Sequence, residues 1–311
     1  MKIAVTGSSG LIGTALTAGL RADGHQVVRL VRRAPRGDGE RVGEPPVEEA
    51  RWDPRAADAG DPPLSRVDAV VHLAGAGVAD HRWTASYKTE IRASRVVATR
   101  ALATALAAAE PRPKAFLVAS AVGWYGDTGG REVTEGAPAG QGFLARVVHD
   151  WEAAADPARE AGVRVVHLRS GVALSTRGGM LAKLATPARL GVLPRFGDGH
   201  QVLSWISLTD EVRAIRFLLD GQGADGRSGP YNLTAPHPVT NAELTAAVHA
   251  AYHRPDFGWL RVPAPLIKAG LGEMSAELLT SNRVLPARLL EAGFTFLHPT
   301  IGAALAAELP R

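Results

Sequence analysis

Lys2-Ile3-Ala4-Val5-Thr6-Gly7-Ser8-Ser9-Gly10-Leu11-Ile12-Gly13 is the stretch whose reading decides the fold. Residues 2–5 are a short apolar run suited to a buried strand, glycine recurs at positions 7, 10 and 13, and residues 12–21 carry apolar side chains at helical spacing. Strand, glycine turn and helix in that order form a cradle for a pyrophosphate. Glycine permits the tight turn and the close approach of backbone N–H groups to phosphate, while the helix N-terminus faces the anion. The spacing therefore places a dinucleotide against Gly7, Gly10 and Gly13.

Outward from this turn, short apolar runs alternate with helix-period segments, the pattern of βαβ units around a parallel sheet. Strands are expected at 2–5, 26–31, 69–73, 115–119 and 164–168, with a short further one at 49–52. Helices are expected at 12–21, 84–109 (ended by Pro111) and 144–160. Strands covered on both faces read as near-continuous apolar runs, as these do. After about Gly171 the alternation breaks into Gly and Pro clusters. The expected architecture is α/β: a Rossmann-type doubly wound parallel sheet with a smaller C-terminal substrate lobe. The Rossmann domain is placed at 1–170, with core strands continuing beyond it, and the lobe at 171–311.

Composition narrows the class. Of 311 residues, 46% are hydrophobic and 21% charged, the balance of a globular enzyme that needs no staple. With no cysteine there are no disulfides, thiolate ligands or cysteine nucleophiles, which fits a cytoplasmic protein. The net charge of +4 comes from scattered arginines, without the basic block that tracks nucleic acid. No apolar run reaches about 18 residues, so no membrane span is expected. The N-terminal residues enter a strand directly instead of forming a signal peptide. The histidines show no metal spacing, and no metal site is expected. A homodimer is compatible with all of this.

Three further segments bear on chemistry. An acidic side chain at the end of strand two, about twenty residues past the glycine turn, would hold the free ribose hydroxyl of NAD. Here that strand ends in Arg32-Arg33, which suit a 2′-phosphate and favour NADP(H); Asp38 and Glu40 lie too deep in the following loop to be that acid. Next to apolar Val71 and Leu73, His72 reads as a packed strand residue, followed by small residues that allow close approach of a ligand. At the end of the fifth strand, Ser120-Ala121-Val122-Gly123-Trp124-Tyr125-Gly126 places a serine and a tyrosine where open α/β sheets bind ligands. Tyr125 is the candidate acid/base and Ser120 the group that would orient a substrate oxygen.

With these segments in hand, the chain resembles the extended short-chain dehydrogenase/reductase superfamily, and within it the atypical epimerase-like family labelled sugar nucleotide epimerase, SulA-related. The narrower likeness rests on Trp52-Asp53-Pro54, Leu73-Ala74-Gly75-Ala76, Arg82-Trp83-Thr84, Phe143-Leu144-Ala145 with Trp151-Glu152, Ser204-Trp205-Ile206, Tyr231-Asn232-Leu233 and the C-terminal Gly272-Glu273-Met274 and Arg283-Val284-Leu285-Pro286. It spans essentially the whole chain. The resemblance implies cofactor contacts from Gly7, Ser9, Gly10, Leu11, Ile12, Arg32, Ala74, Gly75, Ser120 and Arg169. It also exposes a departure. Active members of the superfamily carry Tyr-x-x-x-Lys on the helix after the fifth strand, and here those two positions read Leu144 and Val148, which cannot move a proton. Either Ser120 or Ala121 falls at the usual serine position.

Two functions follow. One is an NADP(H)-dependent oxidoreductase or epimerase acting on a hydroxyl or carbonyl compound, such as a nucleotide sugar, in a cleft between the lobes lined by Arg82, Trp83, Trp124 and Trp205. The other is a non-catalytic NADPH-binding sensor or interaction protein, which the missing Tyr-x-x-x-Lys pair would explain.

Overall fold

The computed structural model describes residues 1–35, 47–56, 60, 62–64, 66–221 and 226–309. Asp38 and Glu40 lie outside the described residues. Seven parallel strands form the central sheet: β1 (Lys2–Thr6), β2 (Gln26–Val31), β3 (Val47–Arg51), β4 (Ala69–His72), β5 (Ala115–Ala121), β6 (Arg164–Ser170) and β7 (Gly229–Leu233). Their order is β7-β6-β5-β4-β1-β2-β3, so the winding reverses between β1 and β4. That reversal opens a crevice at the carboxyl ends of the two strands.

Helices cover both faces. On one face lie α1 (Leu11–Ala22) and, later in the chain, the helix Leu208–Leu219; on the other lie α2 (Ala85–Ala108), α3 (Phe143–Ala153) and α4 (Asp156–Glu160). Helix α1 buries Gly13, Leu16, Thr17 and Leu20, the i, i+3, i+4, i+7 stripe that seats an amphipathic helix on a sheet. Helix α2 starts where the Thr84 hydroxyl accepts from the Tyr87 amide at 3.1 Å. The single helix expected at 144–160 is two. Pro157, at the start of α4, has no amide to continue the α3 ladder.

A third apolar cluster, around Leu174, Leu181, Trp205, Leu244, Val248 and Leu305, holds the C-terminal lobe together. The chain does not stay in that lobe. It leaves the sheet after β6, returns as α5 (Leu208–Leu219) and β7, and pairs β7 with β6 from Gly229↔Val166 to Leu233↔Ser170. No described helix is long and apolar enough to cross a membrane, and no group of three or more His, Asp or Glu among the described residues is placed to hold a metal ion.

At the heart of the sheet the Thr6 hydroxyl and His72 Nδ1 are hydrogen-bonded at 2.6 Å. Burial pushes the His72 pKa down to about 3, so the imidazole is a neutral packed residue, as the sequence suggested.

Candidate functional site

The glycine turn is built from backbone contacts that exclude side chains. Gly7 adopts φ +65°, and a Cβ there would lie 2.6 Å from the Leu73 carbonyl carbon. The Gly10 amide donates to Gly7 O at 3.0 Å, closing the turn. Gly10 then caps α1 without a side-chain bond, which leaves the first-turn amides of α1 free to face an anion.

A cavity of about 550 Å³ opens beside this turn, at the carboxyl ends of β1, β2 and β4. Of the residues expected to hold the cofactor, Gly7, Ser9, Gly10, Arg32, Arg33, Ala74 and Gly75 line it. Leu11, Ile12 and Gly13 do not. Leu11 and Ile12 pack on the apolar cluster beneath α1, and Gly13 lies against the backbone of Gly7 and Ser8.

The two arginines differ in their surroundings. Arg33 makes a bidentate pair with Glu49, both bonds 2.8 Å, whereas Arg32 is exposed on the cavity wall with no hydrogen bond or ion pair among the described residues. A third arginine escaped the sequence reading. Arg29, opposite Glu49 in the β2–β3 register, donates from Nε to the Ser8 hydroxyl at 3.0 Å and lies 3.3 Å from Glu49. Its signal was a charged residue between Val28 and Leu30 in an otherwise apolar strand. Three guanidinium groups against the Glu49 carboxylate give this end of the cavity a positive excess suited to a phosphate.

Ser120, Tyr125 and Arg169 come together elsewhere, in an enclosed network. Ser120 donates to Glu152 Oε1 at 2.6 Å, and Arg169 grips both oxygens of Glu152 at 2.8 and 2.9 Å. The Arg169 guanidinium lies over the Trp124 ring, 3.9 Å from its centroid, and donates to the Tyr125 hydroxyl at 3.0 Å. Tyr125 in turn donates to Asn232 Oδ1 at 2.7 Å, and Asn232 Nδ2 donates to the Leu285 carbonyl at 2.9 Å. The expectation that Tyr125 stands as an acid/base at an open sheet edge needs correcting. It is 4% exposed, its hydroxyl is occupied as donor and acceptor, and burial raises its pKa with the Arg169 charge opposing. Ser120 and Arg169, expected to meet the cofactor, are buried in the same network, and none of the three lines the cavity.

Tyr125→Phe is expected to leave Arg169 and Asn232 each short of a partner and to lower stability by about 1–3 kcal/mol, measured by denaturant unfolding. Unchanged stability would show that the network does not depend on this hydroxyl.

Leu144 and Val148 close over Gly123, apolar as read. Leu144 also reaches a second cavity of about 630 Å³, between the N-terminal ends of α2 and α3 and the segment Ala264–Leu271 with its successor. Trp83 meets Phe143 edge-on at 5.1 Å there, and Lys88 donates to Glu273 at 2.6 Å. Arg146 and Lys268 on its wall are exposed and have no partner among the described residues. Of the proposed cleft-lining set, Trp83 lines this cavity. Trp205 does not: it is fully buried in the lobe core, its indole donating to the His237 carbonyl.

Comparison with known proteins agrees with this architecture. The NAD dependent epimerase/dehydratase family matches residues 3–234, and a domain of unknown function, DUF1731, matches residues 262–308. An epimerase family protein of Mycobacterium tuberculosis (strain CDC 1551 / Oshkosh) is 45% identical over 304 residues, covering 97% of this chain and 96% of the relative. The epimerase family protein SDR39U1 of Homo sapiens is 35% identical over 309 residues, 98% of each chain. The crystal structure of human SDR39U1 (isoform 2) with NADPH superposes with a TM-score of 0.86 at 33% identity, covering 99% of both chains. The sequence relationship and the parallel sheet with its glycine turn lead to one assignment: the chain belongs to the NAD dependent epimerase/dehydratase family.

Proposed function

We propose that this protein binds NADP(H), with the 2′-phosphate held by Arg32 at the end of β2, and is an epimerase-like oxidoreductase for a hydroxyl or carbonyl compound. The observation that carries the proposal is Arg32, unpaired among the described residues, on the wall of the cavity beside the glycine turn, backed by Arg29 on Ser8. Gly7, Ser9 and Gly10 would meet the pyrophosphate with backbone N–H groups, and Ala74 and Gly75 leave room beside it. The human relative was solved with NADPH, which supports the same cofactor here. When bound, NADP(H) supplies or accepts a hydride.

The substrate we propose would lie in the second cavity, where Arg146 and Lys268, unpaired among the described residues, suit an anionic group such as the diphosphate of a nucleotide sugar. A second reading, NADPH binding without turnover, is favoured by one observation: Leu144 and Val148 are apolar, while Tyr125 and Ser120 are enclosed. NADPH oxidation across a broad carbonyl panel separates the two.

Arg32→Ala is expected to weaken NADPH binding by about 1.5–3 kcal/mol, the worth of hydrogen bonds to a charged group, and to leave NADH binding nearly unchanged. Titration calorimetry with both cofactors measures this. Equal losses would show that Arg32 does not read the 2′-phosphate and would pass the role to Arg29 or Arg33.

A further inference from the structure

One buried acid has no part in the site as described. Glu211, in the second half-turn of α5, is 1% exposed and its Oε2 has no hydrogen-bond partner among the described residues. Its Oε1 accepts from the Ser170 hydroxyl at 2.5 Å. A carboxylate in such a place loses its hydration without compensation, and burial pushes the Glu211 pKa up to about 8.

No charged group among the described residues offsets that cost. The short strands Val172–Leu174 and Trp205–Ser207 packed on α5, and β5 beneath it, contain no ionisable residue. Of β6, Arg164 bonds the last carbonyls of α5, at the far end from Glu211, and Arg169 points through the opposite face of the sheet to Glu152 with His167 on its side. Arg21 lies at the far end of α1. On α5 itself Asp210 pairs with Arg213 and accepts from the amides of Leu297 and His298, Arg216 pairs with Asp23, and His298 bonds the Ser207 hydroxyl. None of these acts on Glu211; burial and Ser170 alone set its state.

Position gives the pair a purpose. Ser170 is the half-buried last residue of β6, at the carboxyl edge. Val166 and Leu168, two and four residues earlier, point into the cluster on which Leu11 and Ile12 of α1 pack, so Ser170 shares the sheet face of the α1 N-terminus. The cavity beside the glycine turn extends over β1, β2 and β4 and takes the 2′-phosphate half of the dinucleotide. A doubly wound sheet receives the two halves of a dinucleotide on opposite sides of the reversal, so the nicotinamide half continues towards β5 and β6.

We propose that Ser170 donates a hydrogen bond to the carboxamide oxygen of the nicotinamide, with Glu211 as a positioning residue behind it. This rests on the NADP(H) reading above. A neutral Glu211 can place its proton on Oε1 and donate to Ser170 Oγ, which turns the serine hydrogen outward to the ligand. An ionised Glu211 takes the serine hydrogen for itself and withdraws it. Affinity for the nicotinamide half therefore falls as pH rises through the ionisation of Glu211.

The test compares NADPH with 2′-phospho-ADP-ribose, which carries the same phosphates and lacks nicotinamide, on the full-length protein by calorimetry at about pH 7 and about pH 9. NADPH is expected to bind about fivefold more weakly at the higher pH, the size of one lost hydrogen bond, after correction for any change in 2′-phospho-ADP-ribose. Glu211→Gln, neutral at both pH values, removes the difference. Ser170→Ala gives about the same fivefold loss for NADPH at the lower pH and none for 2′-phospho-ADP-ribose, which keeps the proposal testable should Glu211→Gln fail to fold. A corrected NADPH affinity that does not change with pH, or an equal change in Glu211→Gln, overturns the inference and leaves the cofactor assignment standing. Failure of NADPH to bind at either pH overturns both.

Discussion

Gly13→Val is expected to bind neither NADPH nor NADH and to unfold at a markedly lower denaturant concentration than the wild type. A Cβ at Gly13 would lie 2.1 Å from the Gly7 carbonyl oxygen and 2.8 Å from Ser8 Cα, both backbone atoms that no rotamer change can move. The turn itself must shift, at a cost near the top of the roughly 1–3 kcal/mol range for overpacking. Gly10→Val is the informative contrast. There a Cβ meets only Gly7 O, at 3.3 Å, on backbone of ordinary helix-cap geometry, φ −74°. That variant should keep nearly all its stability and still lose both cofactors, because its side chain would stand where the phosphates approach. Tight binding by folded Gly10→Val would move the dinucleotide away from the turn, while wild-type stability in Gly13→Val would show that the turn can relax.

Arg169→Met is expected to lower stability by about 3–5 kcal/mol, the penalty for stripping one partner from a buried ion pair. Glu152 would keep only Ser120 as a donor in a site where its side chain is 10% exposed, and Tyr125 would lose the guanidinium that offsets its burial. Adding Glu152→Leu to Arg169→Met should recover much of the loss, because a buried pair removed whole costs far less than half of one. Denaturant unfolding gives the stabilities and NADPH calorimetry gives the second readout. A loss below about 1 kcal/mol would contradict the network's structural role. Full stability with lost NADPH binding would make Arg169 the cofactor contact that the family resemblance implies.

How much of this could be read from sequence depended on how local the cause was. The strand expected at 26–31 has those bounds, and β1, β4, β5 and β6 end within two residues of expectation, because doubly covered strands are apolar runs with sharp polar ends. β7 was missed as a strand because Gly229-Pro230 opens it, and that pair reads as a turn. Its place is set by β6 alongside, not by its own propensity. In the cavity beside the glycine turn, Gly7, Gly10 and Arg32 could be picked out from sequence, since their places follow from spacing to a neighbouring strand. The Arg33 pairing with Glu49 did not, because it needs the β2–β3 register. Tyr125 shows the limit most clearly. Its environment is made by Arg169, 44 residues away, and Asn232, 107 residues away, so no window around Ala119–Gly126 could reveal that its hydroxyl is occupied.

The late return of β7 to the sheet also shapes how this chain must be born. Translation delivers six of the seven strands well before Gly229–Leu233 leaves the ribosome, and in the interval β6 presents a bare, apolar edge of the kind that recruits foreign strands. Asn232 arrives on that same late strand, so the Tyr125 hydroxyl waits for its acceptor and the Glu135 carboxylate for the Asn232 amide. Arrival of this one short segment therefore seals the sheet edge and delivers the acceptor of the Tyr125 hydroxyl in a single zipping step.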